Sequence, residues 1–341
     1  KVFQSIISSK AKIERNWKLI YLDTSNLAAS QIKRINETVD TFSPTKNKMQ
    51  MMRMFLHEGI QTFNVEGIFG SKLHQHKEIL MPVKFGLLEI PRKISDVLKH
   101  AELAEELGFD WLGVADSQSL YREVFSTLGM IGHVTDKLLI GPTVTNGLTR
   151  HPAVMASAIA TVHEISQGRA ILGIGTGDSA IFNINQRPHG LKGLREYVLT
   201  VRELLSGVET KFNGRIIHTS WTTGQKHNPV PIYIAAEGPK TLELAGEIAD
   251  GILMSAGFSV SFVEACLKLF QEAASRTGRV AQNLRTAAFI HFSVSKDGKK
   301  AREDVRKKLA FLFRNRLMAE NIAASGIPID QDAIVNAIAI R

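Results

Sequence analysis

Residues Gly141–Asp178 read GPTVTNGLTRHPAVMASAIATVHEISQGRAILGIGTGD, and no other stretch limits the folds open to this chain so strongly. Leu138–Val144 is a short apolar, β-branched run of buried-strand type. Asn146-Gly147 breaks it. Pro152 then stands where a helix can start, because a missing N–H costs nothing in the first turn. Ala153, Ala156, Ser157, Ala160 and Thr161 form a small-residue face, which predicts a helix packed closely on a sheet. Gln167-Gly168 stops the helix, and Arg169–Ile174 is a second buried strand that runs into the turn Gly173–Asp178. The stretch is one β-α-β unit. Its glycines and polar residues gather at the C-terminal strand ends, where parallel α/β folds bind ligands. The spacing G-x-G-x-G brings the third glycine one residue early for the dinucleotide fingerprint, and no acidic residue closes a suitable following strand. A Rossmann site is not expected, and a plain tight turn is the alternative for these glycines.

The same alternation covers the chain from Met81 onward. Val83–Leu88 is a predicted strand, and apolar Ile94, Val97, Leu98, Ala101, Ala104 and Leu107 mark an amphipathic helix that Gly108 ends. Strand two is Trp111–Ala115, with a helix over Arg122–His133. After the central unit come a helix at Leu191–Leu205 and a hairpin turn at Phe212–Arg215. Strands at Val230–Ala236, Gly251–Ser255 and Leu284–Val294 alternate with helices at Pro239–Ile248, Val260–Arg276 and Lys299–Leu317. Seven such βα units predict an α/β fold, the (β/α)8 TIM barrel. No eighth strand is visible in Ile322–Arg341. Because a barrel needs closure to remove its edges, truncation at the C-terminus is the expectation.

The chain has 341 residues, 44% of them hydrophobic and 22% charged, enough for a sizeable core. Its one cysteine, Cys266, excludes an intrachain disulfide and fits a reducing, cytoplasmic setting. Between Val263 and Leu267 it reads as a buried helix residue rather than a nucleophile. No apolar run reaches the roughly 18 residues of a membrane span. No Cys/His cluster has zinc spacing, and no G-x-S-x-G elbow occurs. Lys1–Leu80 holds no sustained period and carries 12 Lys/Arg against 7 Asp/Glu, or +5 of the chain's +9. We expect residues 1–80 to be a poorly ordered basic extension and residues 81–341 to be the domain. Aromatic residues are sparse in the extension, so nucleic acid is not the expected partner. The run Lys296–Lys308 reads as the solvated face of its helix.

A parallel barrel gathers its strand-end loops on one face. That places Glu89, Asp116, Thr143–Asn146, Gly175–Asp178 and Ala236–Lys240 together. The turn Glu237-Gly238-Pro239 opens a helix whose free N–H groups suit a phosphate, and the Glu237 carboxylate can point away while backbone binds. His151 fixes the turn before its helix or takes part in catalysis, and the residues leave both open.

The Gly141–Asp178 unit and Pro231–Gly251 (PIYIAAEGPKTLELAGEIADG) together resemble the luciferase-like oxidoreductase superfamily of bacterial luciferase-like monooxygenases. Within it the chain is most similar to the deazaflavin-dependent branch typified by methylenetetrahydromethanopterin reductase. The ordered motifs TRHPAVMASAIAT and YIAAEGP…AGEIADG carry the likeness, which covers Val83–Gly257. The resemblance implies a TIM-barrel oxidoreductase, a homodimer, that uses coenzyme F-420 for hydride transfer to or from a small organic substrate. FMN, with oxygen insertion into the substrate, is the alternative. The cofactor phosphate would lie at Ala236, Glu237, Gly238 and Pro239. Its ring would rest on the bulge Thr143-Val144, often joined by a non-proline cis peptide, with Asn146, Gly175, Thr176 and Gly177 around it. Asp178 and Asp116 match acidic residues assigned to catalysis.

Two departures from the family pattern stand out. Several relatives follow the strand-two acid with histidine, whereas here Asp116 is followed by Ser117. Methanopterin reductases carry an acid two positions after the strand-one glycine. Leu88 is there in this chain, with Glu89 beside it and predicted to face the other way. Readings of a different class are a cofactor-holding barrel without turnover, or a nucleic-acid binder acting through the extension. Cofactor absorbance or salt-dependent RNA binding separates them.

Overall fold

The computed structural model describes residues 83–222, 230–255, 260–280, 283–291, 293–313 and 329–339. The extension at 1–80 lies outside them. Internal contacts divide the chain into two units, the larger taking Met81–Ile290 and Leu312–Arg341.

The larger unit alternates strands and helices. β1 (Gly86–Glu89), α1 (Ile94–Glu106), β2 (Trp111–Val114), α2 (Val124–Val134) and β3 (Leu139–Pro142) open it. A short β4 (Thr145–Asn146), α3 (Pro152–Ile165), β5 (Leu172–Gly175), one turn of helix α4 (Ser179–Phe182) and α5 (Leu191–Leu205) follow. An antiparallel hairpin, β6 (Thr210–Phe212) and β7 (Arg215–Ile217), turns on Asn213-Gly214, both at positive φ. Then come β8 (Ile232–Ala235), α6 (Pro239–Ile248), β9 (Gly251–Met254), α7 (Val260–Arg276) and β10 (Arg285–Ala288). Of the smaller unit, the described residues carry most of helix α8 (Gly298–Phe313), whose N-terminal Lys299 N–H donates to Asp297. Helix α9 (Gln331–Ala339) belongs to the larger unit.

All the long ladders are parallel. β1, β2 and β3 pair in that order, and β4, β5, β8, β9 and β10 form a second run. A bridge between Ile140 and Ala170 joins the two. The joint is tight, since a Cβ on Gly141 would lie 2.0 Å from the Ile171 carbonyl oxygen. Among the described residues β1 and β10 are the outer strands, and no pairing between them closes the ring.

Polar clamps hold the N-terminal ends of the strands. The Glu105 carboxylate accepts the N–H groups of Asp136, Lys137 and Leu138 ahead of β3. Arg169 donates to the Gly132 and Leu138 carbonyls, while Arg202 and Arg279 both engage Asp250 ahead of β9. The opposite end is left for other work.

Several element limits differ from the sequence reading. Strand one begins at Gly86 rather than Val83, because Phe85 gives its N–H to the Asp110 carboxylate instead of a ladder. β3 stops at Pro142 because the chain kinks there. β10 is shorter than the expected Leu284–Val294. The small-residue face of α3 is not its packing face. Met155, Ile159 and Val162 with Ala156 are buried, whereas Ser157 and Thr161 are exposed.

Candidate active site

The C-terminal strand ends bring the expected residues to one face. The peptide bond Thr143–Val144 is cis, as the resemblance implied. This kink is wedged between two strands that give it room through glycine. A Cβ on Gly113 of β2 would lie 2.3 Å from Thr143 Oγ1, and one on Gly173 of β5 would lie 2.3 Å from the Pro142 oxygen. The Val144 side chain turns toward β5, 3.4 Å from where a Cβ on Gly173 or Gly175 would lie. A Cβ on Gly175 would touch both Val144 Cγ2 and the Ala235 methyl at 3.4 Å. Val144, Gly173, Gly175 and Ala235 thus make an apolar floor.

Val144 is anchored on both sides to the end of β2. The Thr143 N–H donates to the Val114 carbonyl at 2.8 Å, and the Thr145 hydroxyl donates to Asp116 Oδ2 at 2.6 Å. The Asp116 side chain is only 3% exposed and also accepts from Arg150 Nη1 at 2.6 Å. Arg150 reaches Glu123 Oε1 with its other terminal nitrogen at 2.9 Å and lies over the Phe125 ring. Burial alone would lower the Arg150 pKa, but hydrogen bonding and charge from Asp116 and Glu123 outweigh it and raise the value. Asn146 is buried and spends its carbonyl oxygen on the N–H groups of Leu148 and Thr149, at 2.9 Å each.

Beside the floor, Thr176 and Gly177 follow β5. Gly177 has a φ of 101°, and a Cβ there would run into Ile181, so glycine is required. Asp178 stands exposed at the N-cap of α4 and makes no side-chain capping bond. Its carboxylate is therefore not the cap of α4. Ser117 and Ser179 meet at 3.1 Å, and Gln118 donates to the Ala180 carbonyl, so the loops after β2 and β5 are stitched together.

Past β8, Ala236 is buried and its N–H donates to the Leu253 carbonyl at 3.1 Å. Gly238 is the N-cap of α6, with Pro239 in the first turn and no side-chain cap. The Glu237 carboxylate accepts the N–H and hydroxyl of Ser255 at the end of β9, which leaves the helix start to its backbone. Burial, with the charge of Glu237 adding, pushes the Cys266 thiol up to about 11, as fits an inert packed cysteine.

His151 caps α3, its Nδ1 accepting the Ala153 N–H at 3.2 Å, and its ring packs edge-on against Phe212. Glu89 does face away from the Leu88 side of β1, and its carboxyl meets His100 of α1. Two contributors escaped the sequence reading. Arg150 was visible only as a letter in the TRHP motif. His189, in an irregular loop, gives its N–H to Thr176 and sets its ring beside Gly147 and Tyr197. No local pattern announces either.

A parallel α/β sheet system with a glycine-cleared kink after β3 and an open helix start after β8 is the framework of a barrel-type fold with its ligand face at the C-terminal strand ends. The chain belongs to the luciferase-like monooxygenase family, whose model matches residues 75–332. It is 37% identical over 236 residues to 5,10-methylenetetrahydromethanopterin reductase of Archaeoglobus fulgidus, covering 67% of this chain and 70% of the relative. It is 31% identical over 247 residues to the F-420-dependent glucose-6-phosphate dehydrogenase of Nakamurella multipartita, covering 66% and 72%. Among solved structures, the coenzyme F-420-dependent tetrahydromethanopterin reductase of Methanopyrus kandleri aligns with a TM-score of 0.60 at 30% identity, over 68% of this chain and 73% of that one.

Proposed function

We propose that this protein is an oxidoreductase that uses coenzyme F-420 for hydride transfer to or from a small organic substrate, in the manner of methylenetetrahydromethanopterin reductases. The observation that carries the reading is the floor of Val144, Gly173, Gly175 and Ala235 beside an uncapped helix start at Gly238. A flat tricyclic ring needs an apolar seat without intruding side chains, and its phosphate needs backbone N–H groups. The residues fit both demands. The identity to F-420-dependent relatives supports the choice of deazaflavin over FMN.

When bound, a deazaflavin supplies a two-electron hydride carrier, and the protein supplies binding, orientation and exclusion of water. In this reading Val144 and Thr143 seat the ring, the backbone N–H groups of Glu237 and Gly238 within the Ala236–Pro239 turn hold the phosphate, and Thr176 and Gly177 line the wall between. The Asp178 carboxyl gives or takes the proton that accompanies the hydride, at an exposed position beside Gly177. Asp116 holds Thr145 and Arg150. A homodimer in the cytoplasm remains part of the proposal, on family likeness and the single cysteine. Among the described residues no helix is long and apolar enough to cross a membrane.

The test follows F-420 by absorbance, with reduced F-420 offered methylenetetrahydromethanopterin and oxidised F-420 offered glucose 6-phosphate or a secondary alcohol. Turnover with one of them supports the reading. Turnover only with reduced FMN and oxygen replaces it with the monooxygenase alternative.

A further inference from the structure

Arg150 touches several segments around the mouth, and each contact has a direction. Its guanidinium donates to Asp116 after β2, to Thr145 Oγ1 of β4 at 3.3 Å and to Glu123, the N-cap of α2. Its own carbonyl accepts the Tyr197 hydroxyl of α5 at 2.8 Å. Two carboxylates and a phenyl face surround one planar fork, whose side chain is 14% exposed. Thr145 has a single hydroxyl hydrogen. It goes to Asp116, so toward Arg150 that oxygen accepts. Asp116, Thr145 and Arg150 therefore close a three-membered ring of hydrogen bonds directly after Val144.

We infer that Arg150 is the positioning residue of the cofactor seat, fixing the Thr143–Asn146 segment through Asp116 and Thr145 so that Val144 is presented before any ligand arrives. The inference rests on the proposal that the deazaflavin ring lies over Val144. It assigns Asp116 to holding: the Asp116 oxygen nearest Thr145 accepts two short bonds and offers none. It also explains the Asp116-Ser117 pair, because a clamp needs the carboxylate and makes no demand for a neighbouring histidine. Lysine cannot replace the arginine, since a single ammonium on a flexible stem lacks the fork that spans Asp116, Thr145 and Glu123.

The experiment compares wild type with Arg150→Lys, Thr145→Val and the double variant. It reads F-420 affinity by equilibrium titration, the absorbance spectrum of the bound cofactor and the melting temperature. Arg150→Lys and Thr145→Val are each expected to weaken F-420 binding by about tenfold, equivalent to about 1.4 kcal/mol, and to shift the bound spectrum in the same direction. The double variant is expected to be little worse than the poorer single, because both act through one chain of contacts. Thr145→Val nearly preserves shape, so it reports even where Arg150→Lys folds poorly. Unchanged affinity and spectrum in Thr145→Val overturn the inference, as do additive losses in the double variant. Wild type that binds no F-420 overturns the proposed function itself, and the inference with it. Wild type that binds while its variants bind identically overturns the inference alone.

Discussion

Glu89 and His100 share a buried hydrogen bond of 3.1 Å between Oε2 and Nδ1, joining the end of β1 to the middle of α1. Burial pushes the Glu89 carboxyl up to about 7, with the backbone bond to Ile90 opposing and the charge of Asp96 adding. Burial lowers the His100 pKa, against an opposing pull from Asp96. The carboxyl and the imidazole thus share a hydrogen bond whose donor changes with pH: the carboxyl donates when protonated, and the imidazole must donate once the carboxylate forms.

A pH dependence follows from Glu89. A carboxyl whose pKa is raised by folding keeps its proton in the native state after the unfolded chain has lost it. Its contribution is present below the unfolded value near 4.5 and is lost as pH rises through about 7. Glu89→Gln removes that loss. The melting temperature of the variant relative to wild type is expected to climb between pH 5 and pH 8 and to level off above. A gap that stays flat over this range would mean that Glu89 ionises without cost.

The joint between the two strand runs gives a stability contrast. Gly141→Ala sets a methyl against the Ile171 carbonyl and is expected to cost roughly 3 kcal/mol or more, because backbone on both sides cannot yield. Gly129→Ala, inside α2 with its nearest neighbour 3.6 Å away, is expected to stabilise by about 0.5–1 kcal/mol through helix propensity. Thermal or denaturant unfolding of both variants checks the pair.

How much of this was legible in the sequence depends on whether a feature is local. Helix α5 spans Leu191–Leu205 as the apolar period predicts, α3 starts at its proline, and the hairpin turns on Asn213-Gly214. Strand three was drawn through Val144, since a kink held by Gly113 and Gly173 leaves no mark on the β-branched run itself. The α3 face was misjudged for a similar reason. Small residues can mark either a close sheet contact or an outward surface, and here Met155 and Ile159 do the packing. The Arg150 network was invisible because it joins residues 116, 123, 145, 150 and 197, neighbours only after the sheet has formed.

The helix start at Gly238 offers a test of the phosphate site. Gly238 has φ −80° and ψ 147°, ordinary extended backbone that any residue adopts. Gly238→Val is therefore expected to melt near wild type. The added side chain stands where backbone must approach phosphate, so F-420 binding is expected to weaken at least about tenfold. Full affinity in a titration would move the phosphate elsewhere.

Asp178 separates chemistry from capping. Asparagine keeps the size of Asp178 and is itself a good residue at a helix N-cap, so Asp178→Asn is expected to leave the melting temperature and F-420 affinity near wild type. Loss of the proton and charge is expected to slow the turnover of reduced F-420 by about a hundredfold, the usual scale for general acid–base work. Rates within a few-fold of the parent would make Asp178 a structural residue.

The most direct measurement is a titration of the purified protein with F-420, followed by competition with FMN. A floor of Val144, Gly173, Gly175 and Ala235 beside the open start of α6 is expected to give saturable F-420 binding that FMN displaces only at about tenfold or greater excess. Saturable binding of FMN with no measurable binding of F-420 would contradict the deazaflavin assignment.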